Sequence, residues 1–99
     1  MIVITGHFVL SRPIDDALRQ AAAEMMKASV AEAGCAHYAF SQDLADPSTL
    51  WVSEEWESDE ALKAHFATPH MAAFQKVMAT LTFVSRSIKR YEVASAAPM

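Results

Sequence analysis

The dipeptide Thr68-Pro69 constrains this chain more than any other pair of residues. A proline cannot sit inside a continuing helix, and it pushes the residue before it toward extended backbone. Yet both flanks carry helical signals. Upstream, Ser58 suits an N-cap, and Asp59 and Glu60 suit the positive first turn. Leu62, His65 and Phe66 then fall on one face of a helix. Downstream, threonine suits an N-cap and proline the first helical position. Met71, Phe74, Met78 and Leu81 continue as an apolar stripe. The pattern predicts two short helices meeting at a break. His65 closes the first and His70 stands at the second position of the next.

The rest of the chain supplies a sheet for these helices to cover. Ile2–Leu10 reads as a strand with Ile2, Ile4, Gly6, Phe8 and Leu10 on one side and Val3, Thr5, His7 and Val9 on the other. Both rows are largely apolar, which predicts a sheet covered on both faces. Pro13 is expected to open a helix that runs to about Ala33, with Gly34 as its C-cap. Its inner stripe is Leu18, Ala21, Ala22, Met25, Ser29 and Ala33, while Arg19, Glu24, Lys27 and Glu32 read as solvated surface. Cys35–Gln42 and Thr49–Glu57 read as a hairpin around the Asp46-Pro47 turn, and Leu81–Val93 as a last strand. The order β-α-β-β-α-α-β predicts an α+β, ferredoxin-like domain over residues 1–93, followed by a frayed tail at 94–99.

Composition bounds the partners. Of the 99 residues, 53% are hydrophobic, high for a chain with so small a core, which points to a second buried surface and hence a homodimer. The net charge of −4 argues against nucleic acid and anionic membrane as partners. The single Cys35 allows no internal disulfide, and no apolar run is long enough to span a membrane. With no secretory signal in the N-terminal residues, a cytoplasmic protein is expected.

Histidine dominates the candidate chemistry. His70 at a helix N-terminus is favoured as a neutral base, and His65 at a helix C-terminus as an acid or an anion-holding donor. Each also has a structural reading: His65 as a core residue bonded to a carbonyl, His70 as a helix-start residue bonded to nearby backbone. Tyr38, Phe40, Trp56, Phe66 and Phe74 could wall a pocket for an aromatic substrate, or simply be core. His7 belongs either to that pocket or to an interface. Glu54 stands between Val52 and Trp56 on the more apolar row, as a perturbed carboxylate or as the partner of Arg86. No metal site is expected, because His65 and His70 would diverge on one continuous helix and no HxxxH or CxxC pair exists. A glycine-rich phosphate loop and an activated cysteine nucleophile are likewise unsupported.

The run Trp56-Glu57-Ser58, Ala61-Leu62, Ala64-His65 and Thr68-Pro69-His70-Met71 resembles the signature of the antibiotic biosynthesis monooxygenase family. Gly34-Cys35, Tyr38, Phe40, Asp43 and Asp46-Pro47 resemble its second strand and turn. The resemblance covers essentially the whole chain. It implies a dimeric α+β barrel with a pocket between sheet and helices in each subunit. It also implies small quinol monooxygenases that work without metal, flavin or haem. The haem-degrading branch uses an Asn, a Trp and a His where this chain has His7, His65 and Gln75, so haem degradation is not expected. The expected activity is therefore cofactor-independent oxidation of a hydroquinone or polyphenol by O2, with His65 and His70 handling protons. The alternatives are an isomerase of a small carbonyl compound and a non-catalytic, small-molecule-binding or stress-response dimer.

Overall fold

The computed structural model describes residues 1–99. Its elements are β1 (Ile2–Leu10), α1 (Asp16–Val30), β2 (Cys35–Gln42), β3 (Thr49–Trp56), α2 (Asp59–Phe66), α3 (Pro69–Met78) and β4 (Phe83–Glu92). The strands form one antiparallel sheet in the order β2-β3-β1-β4, the ferredoxin-like arrangement expected. No helix is long and apolar enough to cross a membrane.

The caps around the Thr68-Pro69 break are those the sequence predicts. The Ser58 hydroxyl accepts from Ala61 N at 3.1 Å, and the Thr68 hydroxyl from Met71 N at 3.3 Å. Thr68 also donates to the His65 carbonyl at 2.7 Å, so one side chain ends α2 and starts α3. The first long helix differs from expectation at both ends. It starts after Asp15, whose carboxylate accepts from Leu18 N at 2.9 Å, and not at Pro13. It stops at Val30 with Ala31 as C-cap, so Ala33 falls outside the buried stripe. Gly34 instead serves the turn into β2: its φ is 82°, and its carbonyl accepts from Glu57 N at 2.8 Å. The third and fourth strands are also slightly shorter than expected, β3 ending at Trp56 and β4 running from Phe83 to Glu92.

One face of the sheet meets the helices. The register places Tyr38 opposite Glu54 and Glu54 opposite Ile4, and Phe40 opposite Val52 and Val52 opposite Gly6. On the other side of β1, Gly6 faces Ile88 and Phe8 faces Arg86. By strand alternation these residues form one continuous row beneath α2 and α3. The core beneath the helices includes Leu18, Met25, Trp56, Leu62 and Phe74. No helix covers the opposite face, which carries Val3, Thr5, His7, Val9, Trp51 and Tyr91. Trp51 and Tyr91 are exposed there, so one apolar row of the first strand is not buried within the single chain.

Gly6 is required by the approach of β4 to β1. A Cβ at this position would lie 2.1 Å from the Ser87 carbonyl oxygen and 2.5 Å from the Ile88 Cα, both backbone atoms that cannot rotate away. Gly6→Ala is therefore expected to destabilise the fold by about 1–3 kcal/mol or more, as overpacking does. The urea midpoint of the variant measures this; a midpoint equal to that of the parent would show that the two strands can separate freely.

Candidate functional site

Two neighbouring constellations lie between the helices and the sheet. The first is a cluster around Glu32. This residue sits in the short turn after α1, and its carboxylate oxygen Oε2 meets two imidazoles at once. His65 Nδ1 is 2.6 Å away and His70 Nε2 is 2.7 Å away. A carboxylate oxygen only accepts, so each ring nitrogen facing it donates its hydrogen. The His65 side chain is 1% exposed, that of Glu32 13% and that of His70 23%. The break at Pro69 makes this convergence possible. It sets α3 at an angle to α2, so two histidines that would diverge on one helix aim at the same point. The divergence expected on one continuous helix does not arise, because the break brings both histidines to one junction. The reading of Glu32 as solvated surface is corrected.

The His65 ring is fixed by its neighbours. Its centroid lies 4.7 Å from that of Trp56 and 5.4 Å from that of Tyr38. Trp56, fully buried, donates its indole N–H to Glu54 Oε1 at 2.9 Å. The partner of Glu54 is thus two residues along its own strand, and not Arg86. The Arg86 guanidinium instead lies 5.7 Å from the centre of the Phe8 ring.

The second constellation is a cavity of about 260 Å³ whose walls include Phe8, Tyr38, Phe40, Phe66, Met71 and Phe74, with Glu54 and Arg86 as its charged groups. The Phe40 and Phe74 rings stack at 5.0 Å, and Tyr38 meets Phe40 edge-on at 5.5 Å. The cavity is slightly smaller than the roughly 300–1,000 Å³ usual for small-molecule pockets, a size for a compact aromatic. Burial pushes the Glu54 carboxyl above its ordinary value of 4.5; the Trp56 hydrogen bond and the His65 ring offset part of that, while Glu32 adds to it. Burial, with Glu54 next in importance, also raises the Tyr38 phenol, which therefore stays protonated and can donate a hydrogen bond. An apolar chamber with one proton-avid carboxyl, one neutral phenol and one cation can take a proton from an acidic hydroxyl and hold the resulting anion.

The structure sorts the expected site residues accordingly. Tyr38, Phe40, Glu54, Phe66 and Phe74 line the aromatic cavity. Trp56 lies behind it, holding Glu54. Phe66 reaches the cavity but is 56% exposed, and so does not share the burial of Leu62 and His65. His65 and His70 do not line this cavity; His70 lines a separate one of about 250 Å³ between α1 and α3, with Met25 and Phe74. His7 lies on the uncovered face, its ring 4.6 Å from that of Trp51, and is not a pocket residue. Glu32 is the residue that the sequence reading missed. Its only sequence signal is an acidic side chain just before a glycine turn, which surface residues share.

A family model described as antibiotic biosynthesis monooxygenase matches residues 1–77. No curated protein matches. Among solved structures, a candidate antibiotic biosynthesis monooxygenase from Deinococcus radiodurans superposes with a TM-score of 0.81 at 23% identity, covering 100% of this chain and 98% of that one. A Pseudomonas aeruginosa protein gives 0.80 at 26%, with 94% of each chain covered. A candidate monooxygenase of the same name from Nitrosomonas europaea gives 0.85 at 19%, covering 96% of this chain and all of the other.

The Glu32 contacts carry a stability prediction. Glu32→Ala leaves two inward-facing imidazole N–H groups without an acceptor, one of them fully buried. An unsatisfied buried polar group costs about 1–3 kcal/mol, so the variant should unfold at a clearly lower urea concentration than the parent. An unchanged midpoint would mean that water replaces the carboxylate at no cost.

Proposed function

Because the chain belongs to the antibiotic biosynthesis monooxygenase family, we propose that its aromatic cavity binds a hydroquinone or polyphenol and oxidises it to a quinone with O2, without a cofactor. The observation that carries this reading is Glu54, a carboxyl of raised proton affinity in a cavity walled by aromatic rings.

Glu54 takes the phenolic proton as general base. The resulting phenolate is electron-rich enough to pass one electron to O2, which avoids the spin barrier of a direct two-electron reaction. The aryloxyl radical and superoxide recombine to a peroxide on a ring carbon. The proton held by Glu54 returns to the distal peroxide oxygen, giving a hydroperoxide; the ring carbon then loses its C–H proton as the O–O bond breaks, that proton and the departing hydroxide leave as water, and the ring carbon becomes a carbonyl. For a hydroquinone the balance is one hydroquinone and one O2 giving one hydroxyquinone and one water. Arg86 and the Tyr38 hydroxyl stabilise the oxyanion, and the aromatic walls orient the ring and exclude bulk water. His65 and His70, expected from the sequence to be the proton carriers, act one layer back. Through Glu32 they set the seat of α2 and α3, and His65 lowers the cost of charge on Glu54.

We also propose that two copies pack through their uncovered sheet faces, where Trp51 and Tyr91 are exposed. A cytoplasmic location fits the single free cysteine.

Oxygen uptake with a panel of hydroquinones and naphthols tests the reaction. Parent protein should consume O2 above the spontaneous background, with a rate that rises with pH as the carboxylate form of Glu54 fills. Glu54→Gln keeps the size and an acceptor for Trp56, and should lower kcat by about 10²–10⁴-fold. Uptake retained in Glu54→Gln but lost in a His65→Gln, His70→Gln double variant would return the base to the histidines. Substrate conversion without oxygen would instead indicate an isomerase.

A further inference from the structure

We propose that Glu32, His65 and His70 form a binding site for a divalent transition-metal ion of the zinc class. The site stands apart from the aromatic cavity and does not depend on the oxygenase reading, since none of its three residues lines that cavity.

The donor atoms converge from three separate segments. Glu32 comes from the turn after α1, His65 from the last turn of α2 and His70 from the first turn of α3. One ligand atom from each lies within 4.8 Å of the others. Two imidazoles and one carboxylate are the ligands that zinc and its neighbours in the first transition row accept, leaving a fourth position open to water. The hydrogens on the facing nitrogens pass to the opposite ring nitrogens or to solvent when the ion binds. Magnesium and calcium prefer all-oxygen sets, so they are poorer occupants.

Seating an ion among these donors requires a short withdrawal of the carboxylate. Bonds of about 2.1 Å in tetrahedral geometry separate ligand atoms by roughly 3.4 Å. Glu32 Oε2 is now 2.6 and 2.7 Å from the two nitrogens. The carboxylate must therefore withdraw by roughly 0.7–0.8 Å to seat an ion between itself and the imidazoles. Glu32 lies outside any helix, so its side chain can do so without unpacking α1. The imidazoles need little ordering. His65 is held against the Trp56 and Tyr38 rings, and His70 is fixed by the Thr68 cap and Pro69 at the head of α3. Access is through His70, whose side chain is part-exposed and borders the cavity between α1 and α3.

Titration of the metal-free full chain with Co²⁺, followed by Zn²⁺, tests the proposal. One Co²⁺ per chain should give the visible d–d absorption of a low-symmetry nitrogen–oxygen site, and Zn²⁺ should abolish it. His70→Ala, and separately Glu32→Gln, should each weaken binding by more than about 100-fold, beyond what loss of an outer-shell partner costs. His7→Ala and His37→Ala should leave it unchanged. In the parent protein, Zn²⁺ should shift the imidazole ¹⁵N signals of His65 and His70 and leave those of His7 and His37 in place. This readout needs no substitution, so it holds even if a variant folds poorly. Absence of the d–d bands would overturn the proposal. So would binding that survives both variants, or shifts confined to His7 or His37. The cluster would then be a hydrogen-bonded triplet only.

Discussion

A single carboxylate oxygen links the three helical segments that pack over the sheet. Glu32 Oε2 accepts from His65 and His70, and so ties the turn after α1 to the end of α2 and the start of α3. Without this tie the Thr68-Pro69 break would be a joint with only one side-chain bridge across it, the Thr68 hydroxyl. With it, α2 and α3 keep one mutual angle. Phe66 at the end of α2 and Met71 and Phe74 on α3 stand above the sheet and wall the cavity. The helices contribute its roof and the sheet its floor, Tyr38, Phe40, Val52, Glu54 and Phe8 all pointing up from one row.

The electrostatics of the two constellations are opposed, and the rings of Trp56 and Tyr38 separate them. On one side Glu32 is satisfied by two donors. On the other, Glu54 has one donor from the protein, the Trp56 indole, and faces an apolar chamber. Burial therefore dominates at Glu54 and raises its proton affinity. A carboxyl in that state is a stronger base than one in water, which suits it to a weakly acidic phenol. A fold alone does not specify this chemistry; the placement of Glu54 opposite Tyr38 and beside Trp56 does.

Much of this was legible in the sequence because it is local. The caps at Ser58 and Thr68 depend on residues three positions apart, and the two rows of β1 depend only on alternation. Element order, and with it the fold class, followed from those signals. The aromatic lining from Tyr38, Phe40 and Phe74 was legible for the same reason. The misses are all non-local or terminal. Glu32 acquires its role from histidines 33 and 38 residues away, and nothing in its own neighbourhood distinguishes it from a surface acid. The start of α1 slid from Pro13 to Asp16 because the Asp15 carboxylate offered the better cap. His7 shares a strand with pocket residues, but its odd row faces away from the helices. Arg86 could reach toward Glu54 by charge, yet Trp56, on the same row of the same strand, supplied the nearer donor.

The most direct test of the central claim is the titration of the Glu54 carboxyl carbon by ¹³C NMR in the free protein, with Glu54→Gln used to assign the signal. A midpoint clearly above the ordinary glutamate value of 4.5 is predicted, because the folded chain buries this group in an apolar cavity. A midpoint at or below that value would contradict it: Glu54 would then be solvated or fully paired, and the cavity would hold no base suited to a phenol.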